Sequence, residues 1–323
     1  MEIHQLEQRP NTETLPLVSV VMATYNGSRY IAQQLESILG QTYPNIEIII
    51  SDDASVDHTQ EILQNYAKRY ENIRLLLHYE NVGYVKNFER GIIASTGSLI
   101  APSDQDDIWK PEKITRLVSA INTSDIVYCD SELISAEGEP LGLRLSQIRR
   151  FTSFSSVLNF TVGNSAPGHA MLIKRQVAEK ALPLLACSSH DFWLGFVATF
   201  SNGISYLDEV HVQYRQHENN VCGAFNSKDK TGKKFKRMKQ SRQIRQANAR
   251  IRINAMYEKC PAELQEYKKI LRNLSESYQS FSFLRNWNRM LLFFTYREQI
   301  LAHKHRNTFR KLAYCCKLFF TIQ

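Results

Sequence analysis

What this sequence lacks sets its first limits. No apolar run approaches the roughly 18 residues a helix needs to cross a bilayer. The N-terminus, Met1 to Thr14, is polar and acidic rather than a basic stretch leading into an apolar one. A secreted or membrane-spanning protein is therefore disfavoured. The six cysteines (Cys129, Cys187, Cys222, Cys260, Cys315, Cys316) include no C-x-x-C spacing. That argues against a disulfide framework and a thiolate zinc site and points to reduced thiols in a cytosolic protein. Any metal must sit on oxygen or histidine. Also missing are G-x-x-x-x-G-K-[S/T], G-x-G-x-x-G, G-x-S-x-G and H-E-x-x-H. A P-loop NTPase, a dinucleotide dehydrogenase, an elbow-type serine hydrolase and a zinc protease thereby lose their main support. A phosphate-bearing substrate held through an acid-bound metal stays open.

What is present is ordinary globular composition over 323 residues, 43% hydrophobic and 22% charged, enough for about two domain-sized units. The net charge of +8 is unevenly spread: residues 1–227 hold 17 Lys+Arg against 26 Asp+Glu, and residues 228–323 hold 23 against 6. An acidic body thus carries a basic tail section. Basic regions attract nucleic acid, anionic lipid or an acidic partner, and charge alone does not choose.

Residues 17–130 alternate short β-branched runs with amphipathic stretches, the pattern of βαβ units in an α/β fold. Strands are expected at Leu17 to Thr24, Ile46 to Ile50, Ile73 to His78 and Leu99 to Ala101, with helices between them. Two of these strands run into acids, Asp52-Asp53 and Asp104-Gln105-Asp106-Asp107. Ligands of open α/β sheets bind beyond the carboxyl ends of the strands, so these acids converge. Beyond Asp130 the pattern loosens. Short strands are expected at His169 to Ile173, Ile204 to Leu207 and Val210 to Tyr214, and a helix from Asp191 to about Phe200.

Three carboxylates in four residues repel one another, which an exposed turn tolerates and a divalent cation relieves. Oxygen ligands suit Mg2+ or Mn2+, and either ion also grips phosphates. The plainer reading is a solvated acidic turn before a helix starting near Pro111. Asp52-Asp53 read equally as turn chemistry, and His190-Asp191 as an ordinary helix start.

The ordered set Val18 to Gly27, Gln41-Thr42-Tyr43-Pro44, Ser51 to Thr59, Asn81-Val82-Gly83 and Asp104 to Asp107 resembles glycosyltransferase family 2. The second half, with Gly168-His169-Ala170-Met171, His190-Asp191-Phe192-Trp193 and Tyr214 to Asn220, resembles its bacterial rhamnosyltransferase-like branch. The resemblance covers about residues 16–222. It implies a GT-A-type nucleotide-diphosphosugar transferase fold, with a mostly parallel central sheet flanked by helices, an inverting mechanism and Mn2+ or Mg2+. A nucleotide-binding half at 16–110 and an acceptor half at 111–222 then follow a polar segment at 1–15 and precede a basic helical region at 223–323.

By the same resemblance Asp53 accepts the pyrimidine N3–H of a UDP- or dTDP-sugar, with Ala23 and Tyr25 lining the base. Asp104 and Asp106 form the D-x-D pair, Asp106 being the more direct metal ligand, and His217 completes the metal shell or meets a phosphate. Arg215 contacts the diphosphate, Asp191 is the catalytic base, and His190 and Trp193 flank the acceptor. Lys86 or Asn87 stands near the donor, where this chain departs from the family's Ala-Arg-Asn stretch.

The implied partners are a nucleotide-sugar donor and a saccharide or lipid-linked saccharide acceptor of cell-surface polysaccharide, in the bacterial cytoplasm. Lys228 to Arg252 holds eleven Lys+Arg and one Asp. With the aromatic stretches that follow, it reads either as a peripheral attachment to the inner face of an anionic membrane or as a solvated helical pack. Nucleic acid is the less expected partner. The competing reading is a non-catalytic sugar-nucleotide fold, a scaffold or a nucleic-acid-binding protein that acts through this basic section.

Overall fold

The computed structural model describes residues 15–218, 220, 242–280, 282–304 and 307–320. The boundary expected near 222, Cys222 and all but the last residue of the 1–15 segment lie outside these. Nine strands form one sheet: β1 (Val18–Thr24), β2 (Ile46–Asp52), β3 (Ile73–Leu77), β4 (Leu99–Ser103), β5 (Ile108–Trp109), β6 (Ile126–Ile134), β7 (Pro140–Arg144), β8 (Met171–Lys174) and β9 (Ile204–Arg215). Their order is β3-β2-β1-β4-β8-β6-β9-β5, with β7 on β6. The first half is parallel throughout. Beyond it β8 runs antiparallel to both β4 and β6, while β6 and β9 pair in parallel. The chain leaves β1 towards β2 and β3 and returns on the other side as β4. The β1/β4 boundary is therefore a topological switch point, where a crevice opens beyond the strand ends.

Period-2 side-chain alternation sorts the core onto the two faces. Val18, Val20, Met22, Ile48 and Ile50 face α1 (Ile31–Leu39), α2 (Thr59–Arg69) and α4 (Lys113–Ile121). Val21 and Ile49 face the other way, towards Val85, Phe88 and Ile92 of α3 (Tyr84–Ala94). On α1 the buried residues are Ile31, Gln34, Leu35 and Ile38, one helical stripe.

The expected strand at His169 to Ile173 is a 3-10 turn, Gly168–Ala170, followed by β8. The two strands expected at 204–207 and 210–214 are one. Asp208 and Glu209 form a bulge between Leu207, opposite Cys129, and Val210, opposite Asp130, so acids that resemble a turn interrupt a continuous strand. The helix expected from Asp191 is α7 (His190–Ala198); two shorter helices, α5 (Leu145–Ile148) and α6 (Arg175–Ala181), precede it.

The described part of the basic region is helical, as expected: α8 (Arg242–Lys259), α9 (Gln265–Tyr278), α10 (Phe283–Thr295), α11 (Arg297–Ile300) and α12 (Thr308–Phe320), while Lys228 to Ser241 lie outside the described residues. It shares the body's core. Ala249, Ile253, Met256, Leu271, Leu274, Phe293, Ile300 and Leu318 join the same buried cluster as Val157, Phe160, Trp193 and Phe196. Buried Arg289 fastens three helices by donating to Ser277 O at 2.7 Å and to Leu318 O at 3.0 Å. No helix among the described residues is long and apolar enough to cross a membrane.

Candidate active site

A cavity of about 710 Å3 opens at the carboxyl ends of β1 and β4. After β1 the chain turns through Asn26 in the left-handed region (φ 48°). Gln105 fixes this turn: its Oε1 accepts from Tyr25 N at 2.9 Å and its Nε2 donates to Tyr25 O at 3.0 Å. A Cβ at Gly27 would meet Gln105 Oε1 at 2.2 Å, so any side chain there would displace the Gln105 amide from Tyr25. Ala23 and Tyr25 line this side.

The two acids after β2 divide their tasks. Asp52 is a brace: Thr24 Oγ1, Ser55 N, Ser55 Oγ and Gln60 Nε2 all donate to its carboxylate. Asp53 lines the cavity and is fixed by Val82 N at 3.0 Å, by Gly83 N at 2.8 Å and by the Arg90 guanidinium at 3.7 Å. Gly83 has φ +86°, a conformation other residues adopt with strain, so the Asn81-Val82-Gly83 turn exists to hold Asp53. Asn87 lines the cavity and donates to Ser51 O at 2.7 Å, whereas Lys86 pairs with Glu89 outside it.

The loop after β4 carries the densest charge. Asp104 and Asp106 face the cavity, and Asp107 is fully buried. His217 Nε2 lies 2.7 Å from Asp106 Oδ2, its ring stacked on Tyr30 at 5.1 Å. His169 Nδ1 stands 3.8 Å from Asp104 Oδ2 and 3.9 Å from Asp107 Oδ2, while its Nε2 meets Ser131 Oγ at 2.9 Å. Burial, then the charges of Asp106 and Asp191, lift the Asp104 carboxyl to about 7; the 40% of its side chain exposed to the cavity tempers that rise. Burial and the two neighbouring acids hold the Asp107 carboxyl well above the ordinary range. Beneath them buried Lys113 donates to His169 O at 2.6 Å, and burial lowers its ammonium to about 7.

These residues fit a cation. One ligand atom from each of Asp104, Asp107 and His169 lies within 4.8 Å of the others, and the buried Asp107 Oδ2 has no hydrogen-bond partner. All are hard or borderline donors of the kind Mg2+ and Mn2+ take.

Asp191 enters on the first turn of α7, lines the cavity and accepts from Phe192 N at 2.7 Å through Oδ1. Next to it His190 is 6% exposed, and neither ring nitrogen has a partner. Burial lowers its pKa, against the opposing charge of Asp191. Phe88 packs against it at 3.9 Å, and a Cβ on Gly168 would strike its Nε2 at 2.4 Å.

Two expected site residues stand elsewhere. Arg215 is 1% exposed, and its guanidinium is spent on Asp106 O at 2.8 Å, Ala136 O at 3.0 Å and Gln33 Oε1 at 2.7 Å. It braces the acid loop and leaves no free edge for a phosphate. Trp193, 3% exposed, donates through Nε1 to Ala181 O, packs on Phe196 and does not line the cavity. Sequence reasoning gave no role to Gln105, His169, Lys113, Tyr30 or to Arg149, which also lines the cavity. His169 lay inside a quoted motif and Gln105 between two singled-out acids, but their contacts come from segments far along the chain.

Residues 19–182 match the profile described as Glycosyl transferase family 2. An uncharacterised glycosyltransferase of Nostoc sp. is 27% identical over 208 residues, 62% of this chain and 65% of that one. The chain thus spans just under two thirds of that relative. The dTDP-rhamnosyl transferase RfbG of Shigella flexneri is 30% identical over 217 residues, 63% of this chain and 74% of that one. Among solved structures, S. aureus TarS 1–349 in complex with UDP-GlcNAc gives a TM-score of 0.53 at 17% identity, covering 88% of this chain and 81% of that one. Mannosyltransferase PcManGT from Pyrobaculum calidifontis, in complex with GDP-Man and Mn2+, gives 0.50 at 15% identity, over 96% and 81%. At these identities the likeness is one of fold. The profile spans half of the chain, and the fold around it is of the GT-A type: this chain belongs to glycosyltransferase family 2.

Proposed function

We propose that the chain is an inverting, metal-dependent glycosyltransferase that moves a sugar from a UDP- or dTDP-sugar to a saccharide acceptor in the synthesis of a cell-surface polysaccharide. One observation carries this reading. Asp53, Asp104, Asp106 and Asp191 come from three separate segments and line a single cavity at the switch point of the sheet. Rhamnose as the sugar rests on the rhamnosyltransferase-like motifs and on the relative named for that activity.

Asp53, pre-oriented by two backbone N–H groups, accepts the N3–H that uracil and thymine share, and Ala23 and Tyr25 flank the base. Asp106 and His217, with Asp104, would hold the cation against the diphosphate. Asp107 does not line the cavity, so it supports Asp104 from behind, whereas His169 lines the cavity beside Asp104 and is a further ligand within reach of the same ion. When bound, the ion neutralises charge on the departing nucleoside diphosphate. Asp191 Oδ2 takes the proton of the acceptor hydroxyl as that oxygen attacks the anomeric carbon opposite the leaving group, which inverts the centre. The unpartnered His190 ring lies beside Asp191 to hydrogen-bond a sugar hydroxyl. A lipid-linked acceptor at the inner face of the cytoplasmic membrane accords with the basic C-terminal region.

The test is release of UDP or dTDP from candidate donors in the presence of Mn2+ and saccharide acceptors. Product with the opposite anomeric configuration supports the reading. Product of retained configuration, or none with any pyrimidine donor, overturns it.

A further inference from the structure

Helix α10 is amphipathic with its polarity reversed on one side. At 100° per residue, Phe283, Leu284, Trp287, Leu291 and Phe294 fall within one arc of about 100°, and all are exposed, Phe283 at 72% and Leu284 at 69%. The opposite face buries Asn286, Arg289 and Phe293. On α12, Phe309 and Phe320 share a face, exposed at 78% and 70%. Ring contacts join the two helices: Phe283 meets Trp287 at 6.4 Å and Phe319 at 5.4 Å, and Phe319 meets Phe320 at 5.0 Å. Scattered exposed apolar side chains are ordinary, but a contiguous set of aromatic rings marks a surface that something covers.

Charge selects the occupant. Residues 283–320 contain eight Lys+Arg, of which Arg289 and Lys311 are buried, and one acid, Glu298, which is paired with Lys311 and Arg297. Two copies of such a face would repel each other. Nucleic acid would match the charge and stack on the rings, but it has no use for Leu284 and Leu291. Acyl chains accept leucines and rings alike, and anionic headgroups accept the arginines and lysines around them. We infer that the α10/α12 face docks on an anionic lipid bilayer, with Phe283, Leu284, Trp287 and Phe320 inserted below the headgroups and Arg310 and Lys317 at their level. This rests on the membrane-side reading given above and names the surface that serves it. Through Gln299, which accepts from Ser156 Oγ at 2.6 Å and whose carbonyl accepts from Asn159 Nδ2 at 2.8 Å, α11 ties these helices to the acceptor half.

The chain provides its own probe. Trp109 and Trp193 are 2% and 3% exposed and Trp287 is 45% exposed, so vesicle-dependent fluorescence reports Trp287. The full-length protein is mixed with phosphatidylcholine vesicles with and without phosphatidylglycerol, made with brominated acyl chains, and no acceptor is added. Co-sedimentation and quenching with the anionic vesicles are expected. Phe283→Ser with Leu284→Ser should lower the bound fraction about tenfold or more, and Arg310→Glu with Lys317→Glu should remove the dependence on phosphatidylglycerol. Both pairs are exposed and none of the four lines the cavity, so UDP or dTDP binding should stay at the wild-type level. Undiminished binding by the Ser variant overturns the inference. So does failure of the wild type to bind anionic vesicles, or self-association that the Ser variant abolishes. Loss of nucleotide binding with vesicle binding intact would instead count against the catalytic reading.

Discussion

Asp104 lies beside the acids Asp106, Asp107 and Asp191, and its titration is measurable. Its folded pKa, about 7, lies above that of an unfolded aspartate, near 4. The folded protein therefore keeps an extra proton between those values, and stability falls as pH rises across that window. A bound cation replaces the proton, so thermal unfolding should show Mn2+ stabilising the protein more near pH 8 than near pH 5. Equal stabilisation at both would contradict the Asp104 assignment. The two triads that share Asp104 separate by substitution. Asp106→Asn should remove metal-dependent nucleotide binding, whereas Asp107→Asn should weaken it less, because only Asp106 lines the cavity. Calorimetry on both variants decides, and the reverse order would move the ion to the inner trio. Asp191→Asn should lower turnover by about 10^2 to 10^4-fold, the usual contribution of a general base, with donor affinity unchanged. Retained turnover would remove Asp191 from that role.

Among the elements, the turn Gly168–Ala170 and helix α7 meet so closely that Gly168 has no room for a side chain. Gly168→Ala should cost about 1–3 kcal/mol by overpacking and displace His190, read as a lower thermal midpoint together with a lower kcat. An unaffected variant would show that His190 sits loosely. The half from β1 to β4 was legible in the sequence because both strand and helix periods are clean there, and its acids announced themselves by following strand ends. Strand β6 was not, since Asp130, Ser131 and Glu132 interrupt its apolar run; buried Asp130 accepts from Ser131 N and from Ser146, which comes from another element. Nor was Arg215 legible as a brace. Its acceptors come from residues 33, 106, 135 and 136, which no local pattern links to it. Trp193 misled for a related reason: α7 is buried on nearly every side, so no periodicity says which residue faces the cavity.

For the molecule as a whole, the sharp change of charge near residue 228 reads as a boundary, yet each of the described helices beyond it contributes buried side chains to the core it shares with the body. The full chain should therefore unfold in one cooperative transition, and removal of residues 242–323 should leave an aggregating body, checked by calorimetry and size-exclusion chromatography. Two separated transitions, or a well-behaved truncated monomer, would make the C-terminal helices a unit of their own. The cavity itself lies on the body, where the acids of β2, β4 and α7 gather. The most direct test of its assignment is calorimetric titration of the purified protein with UDP and with dTDP, each with and without Mn2+. Binding of at least one that strengthens when Mn2+ is present is the predicted result, and it should vanish in Asp53→Ala and Asp106→Ala. Binding of neither nucleotide, or equal affinity with and without the ion, would contradict a metal-dependent donor site.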